Sequence, residues 1–476
     1  MSKRKYDEQM EHNNKKQKIE WRHVYDLSDN IINHIFIFLG NDCRVYTLQY
    51  VSKLFLNCAR KFIQKNSLIT IKDDKLLNII MKIKFKKINI DGSHIDNDLL
   101  NKIIDNLTFV EILGITNCNM FDINLNKLSK LKELSLKNCN NLKGDFINSL
   151  LEIQTFDGII IEQCRTILSK DLFNLVIRPF KKLIINLDDF DNDLSYLDYV
   201  NLSQLEVIRI GSYTDKYNVV YLRNFFKNLH TNNSLQSLKV DFYRYPSRTN
   251  YDELLSYTSH LKLKYLSINN ARYKNMGSFA LNCNFELLET LILHNVFIKT
   301  DYLIQILNNT SILKELKIEF ENTYADITLD INVVLKEVKQ IKTLTDLHLE
   351  YLNINNTGLQ YLTKFNLKNL SIQHGYRLEN DCLKYIKDIK LHSLDLLACG
   401  YHITDDSLIH LKDMSSLNNL SLKCTHISDN GLIHLKDLPL TSLNLEYTNI
   451  SGNLEKYKQL FKDSVNIVLL PLSFAR

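Results

Sequence analysis

The chain has 476 residues and a net charge of +5, with 45% apolar and 24% charged residues. These proportions suit a folded protein with a large core and exclude a strongly basic nucleic-acid-binding body. The apolar runs fall well short of bilayer thickness, so no membrane partner is expected. With only 4 prolines and 12 glycines, turns must rely on Asn and Asp, which tolerate the left-handed backbone region.

Residues 1–22 are polar and charged, with almost nothing to bury, and are expected to be disordered. Lys3-Arg4 and Lys15-Lys16-Gln17-Lys18 form two basic clusters separated by ten residues. Two readings stay open: a bipartite nuclear import signal, or a solubilising basic tail. The chain carries 9 cysteines, an odd count without a Cys-x-x-Cys pair, and its N-terminus lacks a secretory apolar region. An intracellular setting, cytoplasm or nucleus, is therefore expected.

From residue 26 to 65 the pattern changes. Leu27, Ile31, Ile32, Ile35, Phe36 and Leu39 follow helical spacing, with Asp29-Asn30 at a helix start and Gly40-Asn41 at its stop. Val45, Leu48, Val51, Phe55 and Ala59 form a second helical set. So short a unit buries too little to stand alone and needs a neighbour or a partner. Residues 66–84 read as a capping or linking segment.

From 85 to 470 one unit recurs. Leu-x-x-Leu-x-Leu runs, or close variants, begin at Phe85, Val110, Leu131, Phe156, Phe180, Leu205, Leu235, Leu263, Leu288, Leu313, Leu344, Leu367, Leu391, Leu417 and Leu440. The steps average about 25 residues. Between the runs lie helix-like stretches at 171–176, 301–307 and 407–411, each with an apolar face that only a stacked neighbour can bury. The pattern predicts an α/β leucine-rich-repeat solenoid, a curved rod of about 15 repeats lined by parallel strands. Residues 465–470 read as an exit strand. Residues 471–476 form a tail that either caps the last repeat or folds back over the inner face.

Strand alternation turns the residues between the leucines toward the inner face. They include Glu133, Ser135 and Lys137 early, and Ser421, Lys423, Asn444 and Glu446 late. In the middle, Glu315, Glu319, Asp346, His348 and Glu350 form an acidic patch suited to a basic segment of a protein target; the alternative is a solvated strand face. Cys118, Cys139, Cys164 and Cys399 each follow the last strand aliphatic by three residues. The first three recur one repeat apart and so stack in a linear row, which suits buried packing; a metal needs converging thiolates. His410 and His434 occupy equivalent places in adjacent repeats and read as surface residues. No P-loop, His-Glu-x-x-His or Gly-x-Ser-x-Gly occurs. No catalysis, cofactor or metal is expected.

Residues 26–62 resemble an F-box. The run Leu27-Ser28-Asp29-Asn30-Ile31-Ile32-Asn33-His34-Ile35-Phe36-Ile37-Phe38-Leu39 is followed by Asp42, Val45, Leu48 and Val51-Ser52-Lys53-Leu54-Phe55. Ser28 stands where the family has Pro, Asn30 where Glu is common, and Phe55 where it has Trp. An F-box before cysteine-containing repeats is similar to the F-box/LRR proteins. The segments from His402 to Leu411 and from His426 to Leu435 carry that likeness best. The Asn/Lys/Ile-rich composition resembles that of F-box/LRR proteins of giant DNA viruses. The resemblance implies a non-catalytic, monomeric substrate receptor of an SCF-type ubiquitin ligase. It would dock on a Skp-type adaptor, and through it a cullin, by way of Leu27, Ile31, Ile35, Phe36, Leu39, Val51, Lys53 and Phe55. The competing reading is a scaffold or inhibitor whose N-terminal helices merely cap the solenoid.

Overall fold

A computed structural model describes residues 68–72, 84–119, 123–140, 144–164, 179–186, 200–211, 219–241, 251–271, 283–321, 329–461 and 465–470. The chain divides into two units, Met1–Ile167 and Leu168–Arg476. The basic tail, the F-box-like segment, the helix-like stretch at 171–176 and residues 471–476 lie outside the described residues. No helix among the described residues is long and apolar enough to cross a membrane.

In the first unit, β1 (Leu68–Ile71), β2 (Lys87–Asp91), β3 (Ile112–Thr116), β4 (Glu133–Lys137) and β5 (Gly158–Glu162) pair in parallel and in chain order. Each aliphatic meets its equivalent one repeat on: Ile88 faces Leu113, Leu113 faces Leu134, and Leu134 faces Ile159. The strands read half-buried, buried, half-buried because their leucines enter the core while the intervening residues face out. The segment expected to be a linker thus contributes a strand, and the pairing begins one turn earlier than the leucine pattern does. Ile69 and Ile71 lack the flanking Leu-x-x-Leu spacing that would have marked it. Parallel neighbours need a return path, supplied here by α1 (Asn97–Asp105) and α2 (Gly144–Leu151). Asp96 caps α1 by accepting from the Leu99 amide at 2.8 Å, and Leu100, Ile103 and Ile104 form its buried stripe.

The second unit repeats the scheme. β6 (Lys182–Asn186), β7 (Val207–Gly211), β8 (Ser237–Asp241), β9 (Tyr265–Asn269), β10 (Thr290–His294), β11 (Glu315–Glu319), β12 (Asp346–Glu350), β13 (Asn369–Gln373) and β14 (Ser393–Asp395) pair in parallel, each with the next. The ladder continues through β16 (Asn419–Ser421) and β18 (Ser442–Asn444) to β19 (Asn466–Val468), the exit strand. A separate pair, β15 (Gly400–Thr404) and β17 (Thr425–His426), lies outside that ladder. Each of the fifteen repeat starts read from the sequence leads into one of these ladder strands. The return segments are α3 (Val219–Asn228), α4 (Tyr251–Ser256), α5 (Thr300–Asn308), α6 (Ile331–Glu337), α7 (Asn356–Leu359), α8 (Asp405–Leu408) and α9 (Leu454–Leu460). Late returns also use single 3₁₀ turns, such as Gly431–Leu435, which fit the shorter steps. This is a leucine-rich-repeat solenoid fold.

Two further devices join successive repeats. The residue after the strand run often adopts a left-handed conformation: Asn117, Asn138, Gln163, Asn270, Asn295, Tyr351, His374, Ala398, Cys424 and Tyr447 have φ between 51° and 59°. This aims the amide at the next repeat: Asn117 donates to the Lys137 carbonyl and Asn295 to that of Glu319. On the return side, a carboxylate or amide accepts from the following repeat's backbone. Asp405 accepts from the Ser428 amide at 2.7 Å, Asp429 from Ser451 at 3.0 Å, and Asn332 from Asn355 at 3.0 Å.

Candidate functional site

The cysteines settle into the turns. Cys118, Cys139, Cys164 and Cys399 are buried, and the seven cysteines among the described residues are free thiols. The Cys139 thiol donates to the Ile115 carbonyl at 3.3 Å, and the Cys399 thiol to the Ile372 carbonyl at 2.9 Å. The Cys139 amide donates to the Cys164 sulfur at 3.4 Å. Gly92 accommodates this packing, since a Cβ there would lie 2.7 Å from that of Cys118. Burial pushes the Cys118 thiol up to about 12 and raises that of Cys399 as well, which keeps them protonated and inert. His410 and His434 are half-buried in equivalent places on successive return segments.

The five residues expected to meet a target lie on adjacent strands. β11 and β12 pair so that Glu315 faces Asp346, Lys317 faces His348, and Glu319 faces Glu350. All five side chains turn away from the core, because the strands alternate outward and inward. The register splits them into two groups. Glu315 and Asp346 sit at one end, where Glu315 accepts from Thr290 at 3.4 Å and Asp346 from Asn369 at 2.5 Å. Glu319, His348 and Glu350 converge at the other.

Glu319 is the hub of that second group. Its Oε1 lies 2.8 Å from Lys317 Nζ and 3.1 Å from His348 Nε2, and its Oε2 lies 3.2 Å from His294 Nδ1. The His348 contact is off the hydrogen-bond axis, so that buried nitrogen has no well-aligned partner; the same atom lies 3.8 Å from Glu350 Oε2. Burial alone would raise the Glu319 pKa. The contacts with His294, His348 and Lys317 outweigh it and hold the carboxyl below its ordinary value of 4.5. Glu319 therefore stays ionised with its charge already met by Lys317 within the fold, and the patch is less open than its four acidic residues suggest.

Ligand atoms of Glu319, His348 and Glu350 lie within 4.8 Å of one another, close enough to share a metal ion. Three protein ligands is the usual number at a catalytic zinc, although the usual sets carry at most one carboxylate and this one has two. Here the Lys317 ammonium stands 2.8 Å from Glu319, so a divalent cation would have to displace it.

Beside Glu350 lies an aromatic group that the strand pattern did not mark. Tyr351 stacks on His374 with ring centroids 3.9 Å apart and planes within 7°. The Tyr376 hydroxyl lies 2.9 Å from His374 Nδ1, and Tyr376 is 48% exposed. Burial lowers the His374 pKa, against the pull of the Glu350 carboxylate, and raises that of Tyr351, with Glu350 adding to the rise. Glu350 thus acts electrostatically on both stacked rings. The signal available in the sequence was a repeated motif: Leu347-His-Leu-Glu-Tyr-Leu-Asn-Ile354 and Leu443-Asn-Leu-Glu-Tyr-Thr-Asn-Ile450.

No family model and no curated protein matches the sequence. Solved structures with a similar trace include an internalin of Listeria monocytogenes, 19% identical, with a TM-score of 0.39, covering 71% of this chain and 88% of its own. A leucine-rich-repeat protein of Leptospira interrogans is 15% identical with a TM-score of 0.38, covering 72% of this chain and 91% of its own. Rad7, crystallised in complex with Elc1 in yeast, is 14% identical with a TM-score of 0.42, and 98% of each chain is covered. At these values no ligand or role passes from them to this chain.

Proposed function

We propose that this chain is a non-catalytic receptor that holds a protein target on its outward-facing strand residues. In this reading residues 26–65 dock on a Skp-type adaptor of a cullin-based ubiquitin ligase. The observation that carries the binding role is the parallel ladder itself. Its leucines are consumed by the core, while every second strand residue is presented outward, repeat after repeat, at fixed spacing. The ligase role is supported by the F-box resemblance of 26–62. There Leu27, Ile31, Ile35, Phe36, Leu39, Val51, Lys53 and Phe55 are the adaptor-contact residues we propose, all outside the described residues. The chain then supplies position and specificity, and other subunits supply the chemistry.

Affinity capture of the full chain with a Skp-type adaptor tests the ligase role. A complex is expected, and Ile35→Asp with Leu39→Asp should abolish it, since an apolar anchor in such an interface is worth roughly 2 kcal/mol or more. If no complex forms, or the double variant leaves it intact, the chain is a scaffold whose N-terminal helices cap the solenoid.

A further inference from the structure

Glutamate ends three of the described strands, at Glu162, Glu319 and Glu350, and Glu446 holds the repeat-equivalent place two residues after β18. Three of these four glutamates meet a basic group from the equivalent place one repeat earlier, on the strand for Glu162 and Glu319 and two residues past it for Glu446. Lys137 Nζ lies 4.0 Å from Glu162, His294 Nδ1 3.2 Å from Glu319, and Lys423 Nζ 2.9 Å from Glu446. Glu350 breaks the rule, because the residue facing it across the register is Glu319.

The last of these pairs serves as a template. Glu446 is followed by Tyr447, at φ 56°, and Lys423 Nζ lies both on the carboxylate and 5.4 Å from the Tyr447 ring centroid. Carboxylate and ring together make a seat for an ammonium ion. Glu350 is followed by Tyr351 in the same left-handed conformation, at φ 54°. The same Glu-Tyr pair in the same backbone shape thus recurs at the end of β12, with glutamate in place of the template's lysine. Among the described residues no lysine or arginine lies over the Tyr351 ring. Among the described residues the basic side chain within ion-pair distance of Glu350 is His348, at 3.8 Å. His374 backs one face of Tyr351, which fixes the ring without supplying charge.

We propose that Glu350 and Tyr351 receive a lysine side chain from an extended segment of a partner protein, in the place that Lys423 occupies over Glu446 and Tyr447. This rests on the reading of the outward strand face as a target-binding surface and names the chemistry it selects. Charge complementarity favours a basic occupant: Glu319 on the preceding strand stands where the template has its lysine, and its own charge is met by Lys317, so the Glu350 carboxylate is left without a lysine partner. Arginine would meet the same carboxylate, but the template within the chain holds an ammonium.

The test is fluorescence polarisation of a labelled hexalysine peptide with the full chain, in EDTA and without any adaptor, so that its failure is separable from failure of the ligase reading. The peptide should bind, and its fully Nε-acetylated form about tenfold more weakly. Glu350→Gln and Tyr351→Ala should each weaken binding about tenfold, while Tyr351→Phe, which keeps the ring, retains it. Glu319→Lys restores the internal ammonium and should plug the seat, with a loss of at least about tenfold. Glu455→Lys makes the same charge change on α9, where the side chain is 80% exposed, and should leave binding within about twofold. The proposal is overturned if hexalysine does not bind, if Glu350→Gln and Glu319→Lys bind as the parent does, or if binding appears only with added zinc in place of EDTA.

Discussion

Two turns of the same backbone shape are filled in opposite ways. After β3 and β4, Asn117 and Asn138 take φ of 55° and 53°, and the Asn138 amide donates to the Asn117 oxygen at 2.9 Å. After β12 and β13, Tyr351 and His374 take φ of 54° and 55°, with their rings stacked at the surface. Asparagine enters the left-handed region readily, because its short amide bonds locally. Tyrosine and histidine have no such compensation, and each pays about 1–2 kcal/mol for the conformation. The first pair stitches neighbouring repeats together. The second makes the same backbone bonds to the next repeat, Tyr351 to the Gln373 carbonyl and His374 to that of Leu397, but its side chains place two stacked rings beside Glu350 instead of bonding each other's amides.

The largest expected effect comes from an asparagine turn. Asn295 is 1% exposed, donates to Asn270 at 3.1 Å and accepts from the Glu321 amide at 2.9 Å. Asn295→Ala removes both bonds while leaving Ala at φ 53°, and should cost about 2–3 kcal/mol. Because an array of repeats opens locally, the measurement is hydrogen exchange of the β10 and β11 amides. Asn295→Gly should recover about 1 kcal/mol of that loss. If Asn295→Ala leaves exchange unchanged, the asparagine row is not structural.

A smaller effect belongs to Glu319. Its pKa is depressed in the fold, so its stabilising contribution is fully present above about pH 4.5 and is lost as the pH falls through the folded value. Protection of β10–β12 should therefore weaken on acidification below pH 5. Glu319→Gln should flatten that slope and cost about 1–2 kcal/mol at neutral pH. A slope that survives the substitution would place the titrating group elsewhere.

The smallest effect is the most discriminating. Tyr351→Gly relieves about 1–2 kcal/mol of backbone strain and forfeits about 0.5–1.5 kcal/mol of ring stacking. Protection of β12 and β13 should stay within about 1 kcal/mol of the parent. A loss as large as that at Asn295 would mean that Tyr351 is a structural residue and that the contrast between the two turns is false.

The sequence was most legible where one residue type serves one purpose. Leucines at strand spacing marked fifteen repeats, and the cysteine row was read correctly as packing, since both depend on local periodicity alone. β1 escaped because Leu68–Ile71 lacks the preceding leucines of the motif. Of the candidate site, the strand faces of Glu315, Glu319, Asp346, His348 and Glu350 followed from alternation. That Glu319 is the hub of a charge cluster did not: Lys317, two residues away, shares its face by alternation, but His294 and His348 lie 25 and 29 positions away along the chain and meet it only across neighbouring strands. Tyr351 and His374 were missed because they follow the strand, where alternation no longer says which way a side chain points.

By itself, the sequence determined the architecture. A fixed step between Leu-x-Leu runs brings equivalent residues side by side, and the apolar alternation permits a single facing for each strand, since a slip of one residue would expose every leucine. Only the tertiary structure decided which charges are spent. Whether a glutamate is satisfied or available depends on the residue facing it one strand away: Lys423 before Glu446, and Glu319 before Glu350. That pairing joins positions more than twenty residues apart in the chain, and it exists only once the repeats have stacked.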